Sequence, residues 1–223
     1  MQASGAMTEQ RREPQTIALA FTGASGMPYG LRLLECLLRA EKTVWLTLSQ
    51  AAYIVLSQEC SISVPAQPKS AQAFFAERYG ARDGQLQLFG RDDWMAPIAS
   101  GSNPADAMVV CPCTMGTLGA IAGGLADNLI ERAADVMLKE RRPLILVPRE
   151  TPLSVIHLEN MLRLARAGAV IVPPMPGFYA HPSSVEDLVD FVVARILDQL
   201  GIANTLMTRW GRDAPSSNGP VKV

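Results

Sequence analysis

Short apolar runs alternate along the sequence with segments in which apolar residues recur every three or four positions. The runs predict β-strands, since they are brief and bounded by turn residues, and the periodic segments predict amphipathic helices. The predicted strands cover residues 16–21, 43–48, 107–111, 144–147 and 169–172. The predicted helices cover residues 49–58, 128–140, 154–167 and 184–200, with two more after residue 26 and near residue 114.

The order of these elements predicts the fold class. Strands alternate with helices, and the strand at 144–147 contains no polar residue, which is typical of a parallel sheet covered by helices on both faces. We therefore predict one α/β domain over residues 15–210, with a doubly wound, Rossmann- or flavodoxin-like, mostly parallel sheet in three layers. Residues 65–106 are less regular and predict one helix around 71–79 and then a long loop. Residues 1–14 and 211–223 are polar and are predicted to be disordered tails.

Composition narrows the classes of function. The chain has 223 residues, of which 48% are hydrophobic, and its 20 basic and 21 acidic side chains nearly cancel. This balance disfavours nucleic acid and anionic membranes as partners. No apolar run approaches the roughly 18 residues that span a bilayer, and the first residues do not resemble a signal peptide. The four cysteines predict neither a disulfide framework nor a zinc site, so we expect a cytoplasmic protein with structural thiols.

A glycine-rich turn follows the first predicted strand, at residues 23–30. Glycines allow the backbone to approach an anion, and the next helix offers N–H groups and the positive end of its dipole. The turn therefore predicts a phosphate site, although a purely structural turn has the same sequence signature. The second strand ends at Ser49, where dinucleotide-binding proteins usually carry an acidic residue. A mononucleotide such as FMN fits this pattern better than NAD.

Two further turns follow predicted strands. The first, residues 111–117, contains Thr114 and Thr117, whose hydroxyls suit a ligand, although Thr114 also suits a helix cap. The second carries Arg149 and Glu150. Loops at the carboxyl ends of parallel strands converge on one crevice, so we expect these side chains to lie near the glycine-rich turn. Lys139, which ends a helix, is by itself typical of a surface charge favoured by the helix dipole.

Five segments, taken together and in this order, resemble the flavin prenyltransferases of the UbiX type. The likeness extends over about residues 17–210. The segments are Thr22-Gly23-Ala24-Ser25-Gly26, Cys111-Pro112-Cys113-Thr114-Met115-Gly116-Thr117, residues 131–143, residues 147–152, and Pro176-Gly177-Phe178-Tyr179.

The resemblance implies an enzyme for which reduced FMN is the acceptor substrate. A dimethylallyl group from dimethylallyl monophosphate would be joined to flavin N5 and then to C6. The prenylated FMN would serve a partner decarboxylase of the UbiD type, in ubiquinone biosynthesis or aromatic acid decarboxylation. The resemblance also implies a homododecamer.

The resemblance further implies which residues form the site. The expected FMN-binding residues are Gly23, Ala24, Ser25, Ser49, Thr114, Met115, Gly116, Thr117 and Arg149. The expected prenyl phosphate residues are Lys139, Glu150, Tyr179 and Arg195, with Arg132 coming from a neighbouring subunit and Trp94 and Trp210 as aromatic neighbours.

The chemistry is consistent with these residue types. Loss of phosphate from an allylic carbon leaves negative charge that cations and a tyrosine hydroxyl stabilise, while aromatic faces shelter the allylic cation. Ring closure removes a proton from flavin C6, for which Glu59, Ser25 and the released phosphate are candidates, and Glu59, Ser25 and Glu150 are the expected catalytic residues. No metal is expected, since the acidic pair Asp92 and Asp93 is isolated and a monophosphate donor does not require magnesium.

Three alternatives remain at this level. A flavin-dependent cysteine decarboxylase shares the expected fold, but it calls for a histidine early in the chain, and the first histidine here is His157. The others are direct decarboxylation of an aromatic acid and a non-enzymatic flavin carrier.

Overall fold

The computed structural model describes residues 13–207 and residue 209. Six parallel strands form one sheet in the order β3-β2-β1-β4-β5-β6. This is the strand order of Rossmann folds, and it confirms the predicted doubly wound class. The strands are β1 (Thr16–Phe21), β2 (Thr43–Leu48), β3 (Leu86–Phe89), β4 (Ala107–Cys113), β5 (Leu144–Pro148) and β6 (Val170–Ile171).

Seven α-helices within the described residues cover the two faces of the sheet, in three layers. The helices are α1 (Met27–Arg39), α2 (Gln50–Cys60), α3 (Pro68–Tyr79), α4 (Met115–Gly123), α5 (Leu129–Lys139), α6 (Val155–Arg166) and α7 (Val185–Leu200). Core residues of α1, α2, α3 and α7 pack on one face, and those of α4, α5 and α6 pack on the other.

Strand β1 shows how the sequence separates the two layers. Its large side chains, Ile17, Leu19 and Phe21, belong to the core of the first face, whereas Ala18 and Ala20 belong to the core of the second. Alternate residues of a strand point to opposite faces, so one short sequence serves two cores. An apolar strand covered on both sides is the pattern that predicted a parallel sheet.

The prediction of a long loop after α3 was wrong. Residues 86–89 form β3, which pairs with β2 from Val44↔Leu86 to Thr47↔Phe89. The strand has only four residues, Leu-Gln-Leu-Phe, and lies at the edge of the sheet. So short an alternation is not distinguishable from a loop in the sequence alone.

The direction in which successive strands are added to the sheet reverses between β1 and β4, the two parallel strands at its centre. β1 leads outward to β2 and β3, whereas β4 leads the other way to β5 and β6. The loops that follow β1 and β4 therefore part at the carboxyl edge, where doubly wound folds have their ligand crevice.

Candidate active site

Loops from four strands meet at this crevice, and they carry the residues predicted to bind FMN. The N–H of Ser49 donates to the carbonyl of Phe21 at 2.9 Å, which places the start of α2 beside the end of β1. The N–H of Arg149 donates to the carbonyl of Cys113 at 3.3 Å, which joins the loops after β5 and β4. The structure therefore brings together Gly23, Ala24, Ser25, Ser49, Thr114, Met115, Gly116, Thr117 and Arg149.

Gly23 has a packing role in this arrangement. A Cβ atom on Gly23 would lie 2.4 Å from the Cβ of Ala51, in the first turn of α2. Real Cβ atoms do not approach so closely, so glycine is required for the loop to lie against α2. Glycine at this position, which suggested a phosphate site, thus also allows α2 to pack closely against the loop after β1.

Glu59 lies at the crevice, which nothing in the local sequence indicated. Its Oε2 accepts hydrogen bonds from the N–H groups of Gly26 and Met27, both at 2.9 Å. These two N–H groups lie at the start of α1. The prediction that they are free to bind a phosphate is therefore wrong, because Glu59 already accepts from both. A carboxylate replaces the ligand there, since the positive end of a helix dipole stabilises either anion.

The surroundings of Glu59 favour its ionised form. Partial burial raises the pKa of the carboxyl, but hydrogen bonds from the Ser25 hydroxyl and from the two backbone N–H groups lower it, and so does the charge of Arg149. The lowering effects win, so the pKa lies below its ordinary value. Glu59 is thus a carboxylate at neutral pH, in contact with Ser25 and close to the guanidinium of Arg149.

The N-terminus of α4 supplies the remaining donors for a phosphorylated ligand. Oγ1 of Thr114 caps this helix by accepting from the N–H of Thr117 at 3.0 Å, as the sequence suggested, and also donates to the Thr117 hydroxyl at 2.9 Å. Gly116 is exposed in the same first turn. Hydroxyls, helix N–H groups and the exposed guanidinium of Arg149 are the donors that a phosphate prefers, so the residues present fit FMN.

Tyr29 is a crevice residue that the sequence analysis missed. Burial raises the pKa of its phenol, the neighbouring Cys111 raises it further, and the charge of Arg149 lowers it, which places the ring near that guanidinium. Tyr29 lies in the first turn of α1, just after the glycine-rich turn, and no sequence signal separates it from an ordinary packing residue.

Two of the expected substrate residues lie on flanking loops. Glu150 is exposed beside Arg149, and its Oε1 accepts from the N–H of Thr151 at 3.0 Å. Trp94 is 48% exposed and lies in the loop after β3.

Arg132 lies near the start of α5, where its Nε donates to the carbonyl of Ala99 at 3.0 Å and its side chain pairs with Asp135 at 2.7 Å.

Tyr179 and Arg195 form a second group around Phe191, beside the edge strand β6. The rings of Tyr179 and Phe191 meet edge to face with centroids 5.6 Å apart. Arg195 lines a cavity of about 330 Å³ together with Phe191 and residues of β6, and it pairs with Asp198 at 2.8 Å. In the sheet order β6 is the third strand from β1, and Asp198, the partner of Arg195, lines a cavity together with Gln15 and Pro143 at the amino edge, so the structure does not bring Arg195 to the crevice loops of its own chain.

Lys139 lies at the opposite edge of the sheet. Helix α5 starts beside Arg91 at the carboxyl edge and has 11 residues, so it ends about 16 Å away. A cavity of about 800 Å³ opens at this amino edge, lined by Gln15, Asp106, Arg141, Arg142 and others, and none of the predicted site residues lines it. The structure thus does not bring Lys139 to the crevice of its own chain, and Trp210 lies outside the described residues.

Other features bear on the class of protein. Within residues 13–207 and residue 209, no group of three or more His, Cys, Asp or Glu side chains is arranged to bind a metal. No helix in this part of the chain is long and apolar enough to cross a membrane. All four cysteines are free thiols, and burial raises the pKa of Cys111 and Cys113, which suits structural residues.

Fold and crevice together define a doubly wound α/β protein with a candidate phosphate-binding crevice at its topological switch point. The model of the Flavoprotein family matches residues 6–197. The flavin prenyltransferase UbiX of Pseudomonas aeruginosa is 60% identical over 198 residues, which is 89% of this chain and 95% of that protein. The chain therefore belongs to the Flavoprotein family and, within it, to the flavin prenyltransferases of the UbiX type.

Solved structures agree with this assignment. A UbiX protein in complex with FMN and dimethylallyl pyrophosphate is 43% identical, with a TM-score of 0.79, and covers 88% of this chain and 97% of that one. A dodecameric FMN-dependent UbiX-like decarboxylase from Escherichia coli is also 43% identical, with a TM-score of 0.77, and covers 87% and 98%. The FMN-dependent cysteine decarboxylase of thioviridamide biosynthesis is only 19% identical, with a TM-score of 0.54, so its likeness shows the fold alone.

Proposed function

We propose that this protein transfers a dimethylallyl group from dimethylallyl monophosphate to reduced FMN, giving prenylated FMN. The observation that carries the proposal is the convergence of Ser25, Glu59 and Arg149 at the crevice of a chain that belongs to the flavin prenyltransferases. Bound FMN supplies the nucleophilic N5 and C6 positions that accept the prenyl group.

Each crevice residue has a distinct task in this reaction. Arg149, the Thr117 hydroxyl, which Thr114 orients, and the N-terminus of α4 hold the flavin phosphate, together with the backbone at Gly23 and Ala24 and the start of α2 at Ser49. The Glu59 carboxylate accepts the proton lost at C6 during ring closure. Ser25 donates a hydrogen bond to Glu59 and passes that proton along.

Departure of the phosphate requires positive charge at the donor site. Arg195 and the Tyr179 hydroxyl stabilise the charge of the leaving phosphate, and Glu150 hands a proton to it. Trp94 and Trp210 shelter the allylic cation. Lys139, at the other edge of its own chain, and Arg132 reach this site from a neighbouring copy. The complete site therefore includes residues of more than one subunit.

A homododecamer supplies the neighbouring copies. The solvent-facing side of α6 agrees with such an assembly, because Val155, Leu158 and Leu162 are 69%, 52% and 51% exposed and lie three and four positions apart. Exposed apolar residues clustered in this way mark a contact surface. The described part of the chain thus presents an apolar helical stripe that other copies would cover.

The reaction indicates where its product goes, and the cysteines indicate the cellular compartment. Prenylated FMN would be handed to a decarboxylase of the UbiD type, which acts on aromatic acids or ubiquinone precursors. Four free thiols suit a reducing compartment, so we place the protein in the cytoplasm.

The experiment follows the mass of the flavin. Purified protein is incubated without oxygen with reduced FMN and dimethylallyl monophosphate, and the released flavin is analysed by mass spectrometry. A gain of one five-carbon unit is expected, and parallel samples with dimethylallyl diphosphate define the preferred donor. A flavin of unchanged mass would reject the proposal, and carbon dioxide release from a cysteine-ended peptide or an aromatic acid would favour a decarboxylase.

A further inference from the structure

The hydroxyl of Thr22 joins the two central loops of the crevice. Thr22 follows the last residue of β1 and is 1% exposed. Its Oγ1 donates to the carbonyl of Pro112 at 2.7 Å and accepts from the N–H of Thr114 at 2.8 Å. Its own N–H donates to the same carbonyl of Pro112 at 3.2 Å. The side chain thus satisfies a donor and an acceptor on the neighbouring segment.

These bonds extend the sheet beyond its regular pairing. β1 and β4 are in register from Ile17↔Ala107 to Ala20↔Val110. Pro112 has no N–H and cannot donate to the ladder, although its carbonyl still accepts from the N–H of Thr22. Beyond Pro112, the Thr22 hydroxyl accepts from the N–H of Thr114, and this hydrogen bond holds the end of β4 against the end of β1.

The contact continues into helix α4. The N–H of Thr114 is held by Thr22, and the Oγ1 of Thr114 in turn accepts from the N–H of Thr117. The orientation of the first turn of α4 therefore depends on Thr22, through Thr114. Gly23, Ala24 and Ser25 come directly after Thr22. Thr22 is therefore joined to the glycine-rich turn by the chain and to the loop after β4 by its hydrogen bonds.

We propose that Thr22 is a positioning residue for the flavin site: its hydroxyl sets the position of the α4 N-terminus relative to the glycine-rich turn. The link to flavin rests on the proposed function, because that function assigns FMN to these two loops. Thr22 acts through Thr114 and the turn that follows it.

The chain offers a matched control in Thr47. Thr47 lies in β2, is also 1% exposed, and its Oγ1 has no hydrogen-bond partner among the described residues. Valine has nearly the shape of threonine and lacks the hydroxyl. Thr22→Val thus removes two hydrogen bonds, whereas Thr47→Val removes none.

The experiment compares Thr22→Val, Thr22→Ser and Thr47→Val with the wild type. FMN affinity is measured by titration of the apoprotein, and amide exchange is followed in the peptide of residues 111–118. Thr22→Val should weaken FMN binding roughly tenfold and speed exchange in this peptide, because the Thr114 N–H loses its acceptor. Thr22→Ser keeps the hydroxyl and should restore both, and Thr47→Val should match the wild type.

Other results would overturn the proposal. It fails if Thr22→Val keeps wild-type FMN affinity, if exchange in residues 111–118 is unchanged, or if Thr22→Ser is as defective as Thr22→Val. Should the valine variant not fold, Thr22→Cys gives the same comparison, since a thiol is a weak donor. A wild-type protein that binds no FMN would refute the proposed function, while the exchange data would still decide whether Thr22 positions the loops.

Discussion

At the scale of single residues, the carboxylate of Glu59 is the most informative group. It accepts two backbone hydrogen bonds at the start of α1 and a third from Ser25. Glu59 is exposed, as its position near the end of a helix suggests, but the sequence alone does not show its partners, which lie more than thirty positions away. The family resemblance did point to this residue, and the structure adds the neighbours that make a role in proton transfer feasible.

Glu59→Gln should stall the reaction after the first bond to flavin. Glutamine keeps the shape of the side chain but cannot take up the C6 proton, so formation of the cyclised product should slow by about 10²- to 10⁴-fold. Rapid quenching and mass spectrometry would show accumulation of an open, singly attached product. Glu77→Gln, at an exposed position of α3, is the control and should be unaffected. A normal rate of cyclisation in Glu59→Gln would remove Glu59 from the mechanism.

Glu59 should also affect the pH dependence of stability. Its pKa is lower in the folded chain than in the unfolded one, so its contribution is fully present above the ordinary carboxyl pKa of about 4.3. The contribution is lost as the pH falls through the lowered value. Urea unfolding at several pH values should therefore show a stability gap between wild type and Glu59→Gln at pH 7 that closes in acid. A gap that is constant from pH 7 to pH 3 would contradict the lowered pKa.

At the scale of elements, helix α2 forms a wall of the crevice. Ser49 at its start lies beside Phe21, and Glu59 near its end contacts the start of α1. The sequence predicted the bounds of β1 and β2, which are short apolar runs, and predicted a helix directly after β2. It could not predict how α2 lies against the glycine-rich turn, because that depends on the close approach of Gly23 and Ala51, a tertiary contact.

Gly23→Ala should disrupt this contact. The added Cβ would meet the Cβ of Ala51, which belongs to a helix turn and cannot move independently. We expect a loss of about 1–3 kcal/mol in the free energy of unfolding, as for other overpacked sites, together with weaker FMN binding. Gly90→Ala is the control, since its new Cβ would approach Pro68 no closer than 3.4 Å. Equal stability of the two variants in urea would show that the turn is free to shift away from α2.

At the scale of the whole molecule, the predicted site residues fall into three places. The FMN residues share the crevice, Tyr179 and Arg195 lie around Phe191 beside β6, and Lys139 lies at the amino edge. The doubly wound order explains why the first set could be predicted, since all its members follow the carboxyl ends of strands. Lys139 ends the helix before β5, so its place at the amino edge also follows from the order of the elements, but a sequence contains no comparable rule for contacts between copies and does not show which crevice Lys139 serves.

Mixed assemblies test whether Lys139 serves a neighbouring crevice. Glu59→Gln and Lys139→Ala are co-expressed with different tags, and assemblies that contain both are purified. Each variant alone should be inactive, but part of the activity should return in the mixture, because some crevices combine an intact Glu59 with an intact Lys139. The control pairs Glu59→Gln with Arg149→Ala; both residues belong to one crevice, so no activity should return. The same activity in both mixtures would contradict a shared site.

The central claim is that FMN binds at the carboxyl edge of the sheet. The most direct measurement is an experimental structure of the protein with FMN bound. The flavin should contact residues 23–25, the N-terminal turn of α4 and Arg149. FMN in the amino-edge cavity beside Arg141 and Arg142 would contradict it.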